Sequence, residues 1–142
     1  MRALWLTPAM DRLFTGSPGE RRRFLDRMVA VLYPDHAVHL SAFERVMRER
    51  NALLQEPGQD NAWLTSLELQ MAETGIAIAH ARMEAVSLLE RHFAATEAGN
   101  PFPWGRIAIE GETEALALSQ PAVQAEEDYR RTLARARPAD RA

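Results

Sequence analysis

One stretch limits this chain more than any other. From about Asp60 to Ala95, the positions Leu64, Leu67, Met71, Gly75, Ile78, Ala85, Leu89 and Phe93 recur at intervals of three and four, with Arg82 interrupting. That is the period of one helix face, and a stripe of this kind is read as core. At 1.5 Å per residue, about 35 residues make a rod on the order of 50 Å long. In a chain of 142 residues, such a rod is expected to project as an arm, paired antiparallel with the helix before it.

The flanking segments supply that partner and a base. Ser17-Pro18-Gly19-Glu20 is a helix start, with Ser17 as N-cap, Pro18 in the first turn and Glu20 completing a capping box. This first helix runs to about Leu32, with Phe24, Leu25, Met28, Val31 and Leu32 on one face. Tyr33-Pro34-Asp35 breaks it, and Asp35 is placed to cap a second helix to about Leu54. The stripe of that helix reads Leu40, Phe43, Val46, Met47, Arg50 and Leu54. Glu56-Pro57-Gly58-Gln59 is a tight connection into the long helix. Beyond it, residues 99–105 form a loop, and Arg106-Ile107-Ala108-Ile109-Glu110 alternates like a strand. A last helix, capped by Ser119, runs to about Arg137. The fold class is therefore mainly α: about four helices, a long antiparallel helical hairpin arm, and a short strand or β-hairpin near 105–118. Residues 3–7 read as the end of one more strand.

Composition excludes several chemistries. There is no cysteine, hence no disulfide, zinc-thiolate site, iron–sulfur cluster or thiol nucleophile. All 17 cations are arginine, so the chain has no P-loop lysine and no Schiff-base lysine. None of the seven glycines forms a nucleotide-binding loop ahead of a helix. No apolar run reaches the length of a membrane span. The N-terminal apolar run is too short for a secretory signal, which makes the cytoplasm the expected location. His36 and His39 have helical metal-ligand spacing but no third ligand on their face, so both are expected to be ordinary surface histidines. Glu110, Glu112 and Glu114 are read as solvated carboxylates.

Charge is unevenly placed. Residues 1–50 hold nine arginines against six acids, residues 51–128 three against thirteen, and residues 129–142 five against one, for a net charge of −3. If the ends meet in space, they make one basic pole, gathering Arg21, Arg22, Arg23 and Arg27 with Arg130, Arg131, Arg135 and Arg137. Arg21, Arg22 and Arg23 sit in the first turns of a helix, where the macrodipole disfavours cations. Arg22 to Asp26 and the nearby Glu20 supply some compensation. The remainder is met either by salt bridges to another part of the protein or by an anion, such as the phosphate of DNA or a nucleotide. A helix-turn-helix is disfavoured, because the turn at 33–35 lacks a short glycine-containing connection.

Two spaced motifs carry a resemblance. Leu4-Trp5-Leu6-Thr7-Pro8-x-x-Asp11 followed by Gly16-Ser17-Pro18-x-x-Arg21-Arg22-x-Phe24-Leu25-Asp26 is one. Phe43-x-x-Val46-Met47-x-x-Arg50-Asn51-Ala52-Leu53-Leu54 is the other, with Phe43 and Met47 where the family has tyrosine and leucine. In this order they resemble the DNA replication and repair protein RecF family. The resemblance implies an ABC-type ATPase head with a helical domain inserted into it. In that family, ATP-dependent head dimerisation clamps DNA near gaps, with Mg as cofactor ion and RecR as partner, in replication, recombination and the SOS response. It makes residues 1–16 a head remnant, 17–137 the inserted helical arm and 138–142 a tail. The phosphate-binding loop would precede Leu4, and the signature motif and metal-holding acid strand would follow Ala142. No ATP-site residue is therefore carried over, and the chain is expected to be non-catalytic and without a cofactor of its own. Candidate phosphate or inter-domain contacts are Arg21, Arg22, Arg23 and Arg27. The other reading is a stand-alone helical adaptor that binds a protein partner through its long helix.

Overall fold

The structure, a computed structural model, describes residues 15–58, 60–96 and 106–141. The expected strand at 3–7 and loop at 99–105 lie outside the described residues. Five helices account for most of the rest: α1 (Pro18–Leu32), α2 (His36–Leu54), α3 (Asn61–Thr96), α4 (Glu112–Ser119) and α5 (Ala122–Asp140).

Local chemistry accounts for most helix ends. The capping box is formed: Glu20 N–H donates to Ser17 Oγ at 3.3 Å, and Ser17 N–H donates to Glu20 Oε2 at 2.8 Å. Tyr33 closes α1 by donating its N–H to Val29 O at 2.7 Å, and Pro34 follows. Asp35 stands at the N-cap of α2 without a side-chain capping bond, because its helical backbone turns the carboxylate away from the first amides. At the next corner Gly58 adopts φ +71°, a conformation that favours glycine. Asp60 Oδ1 then accepts from Ala62 N–H at 2.7 Å and starts α3.

The region after 105 departs from expectation. No strand or hairpin occurs among the described residues; 106–111 is irregular and Glu112–Ser119 is helical. Two acids in its first turn suit a helix N-terminus, and Ala115-Leu116-Ala117 favours helix over an unpaired strand. Ser119 closes α4, its Oγ donating to Leu116 O at 3.2 Å, and Pro121 in extended conformation is the N-cap of α5. That helix passes through Pro138 to Asp140, beyond the expected end at 137.

Helices α2 and α3 form the antiparallel hairpin: Phe43 lies against Gly75, and Arg50 against Glu68. Their seam holds Val46, Leu53, Leu54, Leu64, Leu67 and Met71, with Phe43, Met47 and Leu133 packed against it. The long helix is a spine, however, and not a projecting arm. Each of the other four helices packs on it, and Leu64, Leu67, Ala72, Ile76, Ala79 and Ala85 are all buried. A single seam would bury a narrower stripe; these residues spread over about half of the circumference. Gly75 marks the tightest crossing, where a Cβ would stand 3.0 Å from the Tyr129 ring and 3.2 Å from that of Phe43. Trp63 and Leu69 on α3 are exposed, as are Leu88 and Phe93 beyond α2.

Candidate functional site

Arg21, Arg22, Arg23 and Arg27 are all exposed on α1. Arg21 Nη1 donates to Gly16 O at 2.8 Å, Arg27 lies over the Phe24 ring at 6.0 Å, and Arg22 lines a cavity of about 270 Å³. None of the four forms an ion pair among the described residues. Both expected local compensations fail for a physical reason. Glu20 is held by the capping box. Asp26 turns inward to a more demanding partner, a buried arginine that has no water to solvate it.

That partner is Arg82. Its Nε and Nη2 donate to Asp26 Oδ1 and Oδ2 at 2.7 and 2.9 Å, and its Nη1 donates to Glu114 Oε1 at 2.9 Å. His36 Nε2 meets Asp26 Oδ1 at 3.0 Å, and the buried His36 Nδ1 has no hydrogen-bond partner among the described residues. Four helices meet at this network. Burial pushes the Asp26 carboxyl up, but hydrogen bonds from Arg82 and His36 and their charge hold it below the usual range. Glu114 is held down in the same way: burial opposes, while Arg82, its own backbone N–H and Thr113 prevail. Gly111 leaves room for that carboxylate, since a Cβ there would overlap Glu114 Oε2. His36 and Glu114 are thus buried, not the surface groups expected: Glu114 is drawn in by the buried Arg82 guanidinium, and His36 by the Asp26 carboxylate that Arg82 also holds. Glu110 and Glu112 are exposed as expected. Among the described residues no cluster of three metal-ligating side chains exists.

A second network locks α2, α3 and α5. Arg50 donates from Nε to Glu68 Oε1 at 3.1 Å, from Nη1 to Asp140 Oδ2 at 2.8 Å and from Nη2 to Leu133 O at 2.8 Å. Arg137 grips the same Glu68 at 2.8 and 2.6 Å and adds Thr65 Oγ1 at 3.1 Å. Glu68 is wholly buried between two guanidinium groups. The sequence signal for both networks is a charge inside an apolar stripe: Arg50 in α2 and Arg82 in α3.

The two basic ends do not pack on each other as one pole, although Arg22 and Tyr129 line one cavity. Helix α1 packs on α2 and α3 but not on α5, and Asp26 and Arg137 engage α3 at Arg82 and Glu68, fourteen residues apart. That is roughly 20 Å along a helix. Three of the four arginines of α5, Arg130, Arg131 and Arg137, are also compensated where they stand. Arg130 pairs with Glu127 at 2.8 Å, and Arg131 with Glu127 and Asp128 at 2.8 and 3.3 Å. Arg130 first, then Arg131, draws the Glu127 carboxyl down to about 2. Arg135 is exposed.

Comparison with known proteins places this geometry in context. No family model matches the chain, and no solved structure does. Over all 142 residues it is 48% identical to the DNA replication and repair protein RecF of Mesorhizobium japonicum, covering 38% of that protein. It is 48% identical over 140 residues to RecF of Rhizobium johnstonii and 44% over 141 residues to RecF of Brucella abortus, 37% of each. The chain thus spans less than two-fifths of the length of these curated relatives. Among the described residues, no helix is long and apolar enough to cross a membrane.

Proposed function

From a chain similar end to end to one segment of the RecF proteins, we infer a non-catalytic helical segment of a DNA replication and repair protein, one that touches the DNA backbone through α1. In the whole protein, ATP and Mg are held outside this segment, and binding of DNA is ATP-dependent. A RecR-like partner, a homodimer, a cytoplasmic setting and a part in gap repair and the SOS response belong to the same reading.

The observation that carries it is the contrast in compensation. Arg45, Arg48, Arg50, Arg82, Arg130, Arg131 and Arg137 each have a carboxylate. Arg21, Arg22 and Arg23, like the exposed Arg91, Arg106, Arg135 and Arg141, have none among the described residues, and unlike those four they are clustered at the positive end of a helix. An anion supplied from outside relieves both costs. Phosphate binding of this kind is independent of base sequence and strongly salt-dependent. The adaptor reading loses ground, because the long helix is covered by the other four along most of its length.

The test is duplex binding by the chain at low salt. Affinity is expected near the non-specific range of roughly 10⁻⁴ M. The R21Q/R22Q/R23Q variant should bind more weakly, with a salt slope lowered by about 0.9 for each phosphate no longer neutralised. R45Q/R48Q, which removes two exposed arginines beside Glu49 and Glu44, should leave binding nearly unchanged. Equal losses in the two variants would reduce the effect to net charge and defeat the assignment to α1.

A further inference from the structure

The Asp26 carboxylate stands between two groups of arginines. On its own helix it lies four residues after Arg22 and three after Arg23, the spacings at which side chains of one helix meet. From α3, Arg82 holds it by both oxygens, Nε donating to Oδ1 at 2.7 Å and Nη2 to Oδ2 at 2.9 Å. His36 of α2 meets Oδ1 at 3.0 Å, and Glu114 of α4 accepts from Arg82 Nη1 at 2.9 Å. The Asp26 side chain is 13% exposed, so it sits at the margin of the interior. Arg22 and Arg82 line the same cavity of about 270 Å³.

This carboxylate can neutralise one side or the other, not both. The inward pair is bidentate, the stronger geometry for arginine and carboxylate, and an exposed pair along one helix is worth much less. Arg82 is buried and would keep a single acid, Glu114, if Asp26 turned outward. Removal of Arg82 reverses the balance. Asp26 would then hold only His36 inside, and a charge left without its partner in the interior is costly. The unpaired cations at facing positions on its own helix are Arg22 and Arg23.

We propose that Arg82 is a positioning residue for the DNA contact: by keeping Asp26 inside, it leaves Arg22 and Arg23 open to phosphate. This role rests on α1 being the surface that meets DNA. Arg82 touches no phosphate itself; it withholds a competitor, because a phosphate reaching a paired arginine must first displace the carboxylate.

Duplex binding by the 142-residue chain at low salt tests it. R82Q should bind about threefold more weakly, the effect of an exposed helical ion pair that has to be broken first. R45Q removes the same charge from an exposed position on α2 and should leave binding nearly unchanged. D26N/R82Q lacks the clasp but also lacks the competing carboxylate, and should return to the affinity of the parent chain. A merely structural role predicts the opposite, since the double variant keeps no part of the Asp26–Arg82 pair. D26N alone should bind at least as tightly as the parent, and circular dichroism checks the helix content of each variant. Should R82Q fail to fold, carbon NMR of the Asp26 carboxyl in R22Q/R23Q decides. Arg82 and His36 hold that carboxyl below its ordinary range against the effect of burial, so it should titrate as in the parent chain. An upward shift would show that α1 already draws the carboxylate outward and would overturn the proposal. So would an R82Q variant that binds like R45Q, or a double variant no tighter than R82Q. Weak binding by R21Q/R22Q/R23Q beside an unaffected R82Q would strike only the role of Arg82. Undiminished binding by R21Q/R22Q/R23Q would strike the α1 contact, and the role of Arg82 with it.

Discussion

Two basic helices of similar composition meet opposite fates here. Helix α5 carries Arg130, Arg131, Arg135 and Arg137, and all but the exposed Arg135 are matched: by Glu127 and Asp128 one turn back, or by Glu68 across the interface. Helix α1 carries Arg21, Arg22, Arg23 and Arg27, and its acids are engaged elsewhere, Glu20 in the capping box and Asp26 with Arg82. The difference lies in where the carboxylates point. A carboxylate on an exposed turn serves its neighbours at i+3 and i+4, while one that reaches the interior is taken by a buried guanidinium, whose unpaired state would cost far more.

The strongest way to break the contrast is to remove a carboxylate that α5 depends on. Glu68→Gln leaves the buried Arg50 with only the half-exposed Asp140 as charged partner and loosens Arg137, and should cost about 3 kcal/mol. Urea denaturation, with the midpoint shift read at constant slope, measures it. A loss below about 1 kcal/mol would mean that water or relaxation compensates Arg50. Gly75→Ala comes next. The added methyl presses on the Tyr129 and Phe43 rings at the α2–α3–α5 crossing, and a loss of about 1–3 kcal/mol is expected. A stabilised variant would show that the rings give way easily and that the helical propensity of alanine prevails.

Acid sharpens the comparison at the other network. Asp26 and Glu114 both titrate below their ordinary values in the folded chain, so the unfolded chain binds protons first as pH falls. Their contribution is present in full above the ordinary carboxylate range and is lost as pH drops through the lowered, folded values. Stability should therefore decline steeply below about pH 4.5, and Asp26→Asn should flatten that decline in acid titrations followed by circular dichroism. An unchanged slope would detach the acid limb from this network. The smallest effect belongs to α1. R21Q/R22Q/R23Q should shift stability by no more than about 0.5 kcal/mol while weakening binding to duplex. A marked loss of stability would reveal an intramolecular role for those arginines.

Much of the fold was legible in the residues because it rests on local rules. The capping box at Ser17 and Glu20, the breaks at Pro34 and Pro57, and the three-four spacing from Leu64 to Ala85 specify α1, α2 and α3 through interactions within a few turns of chain. The same reasoning misplaced 105–118. Alternation at 106–110 is a strand signal, but a strand needs a partner, and among the described residues none pairs with it, while Glu112-Thr113-Glu114-Ala115 can form helix alone. Arg50 and Arg82 stood out within apolar stripes, yet spacing along one helix says nothing of which carboxylates three other helices bring to it. Which arginines are neutralised and which face outward depends on distances between residues up to 90 positions apart, as between Arg50 and Asp140. Hydrophobic period is a property of the chain, whereas the pairing of charge is a property of the packed helices.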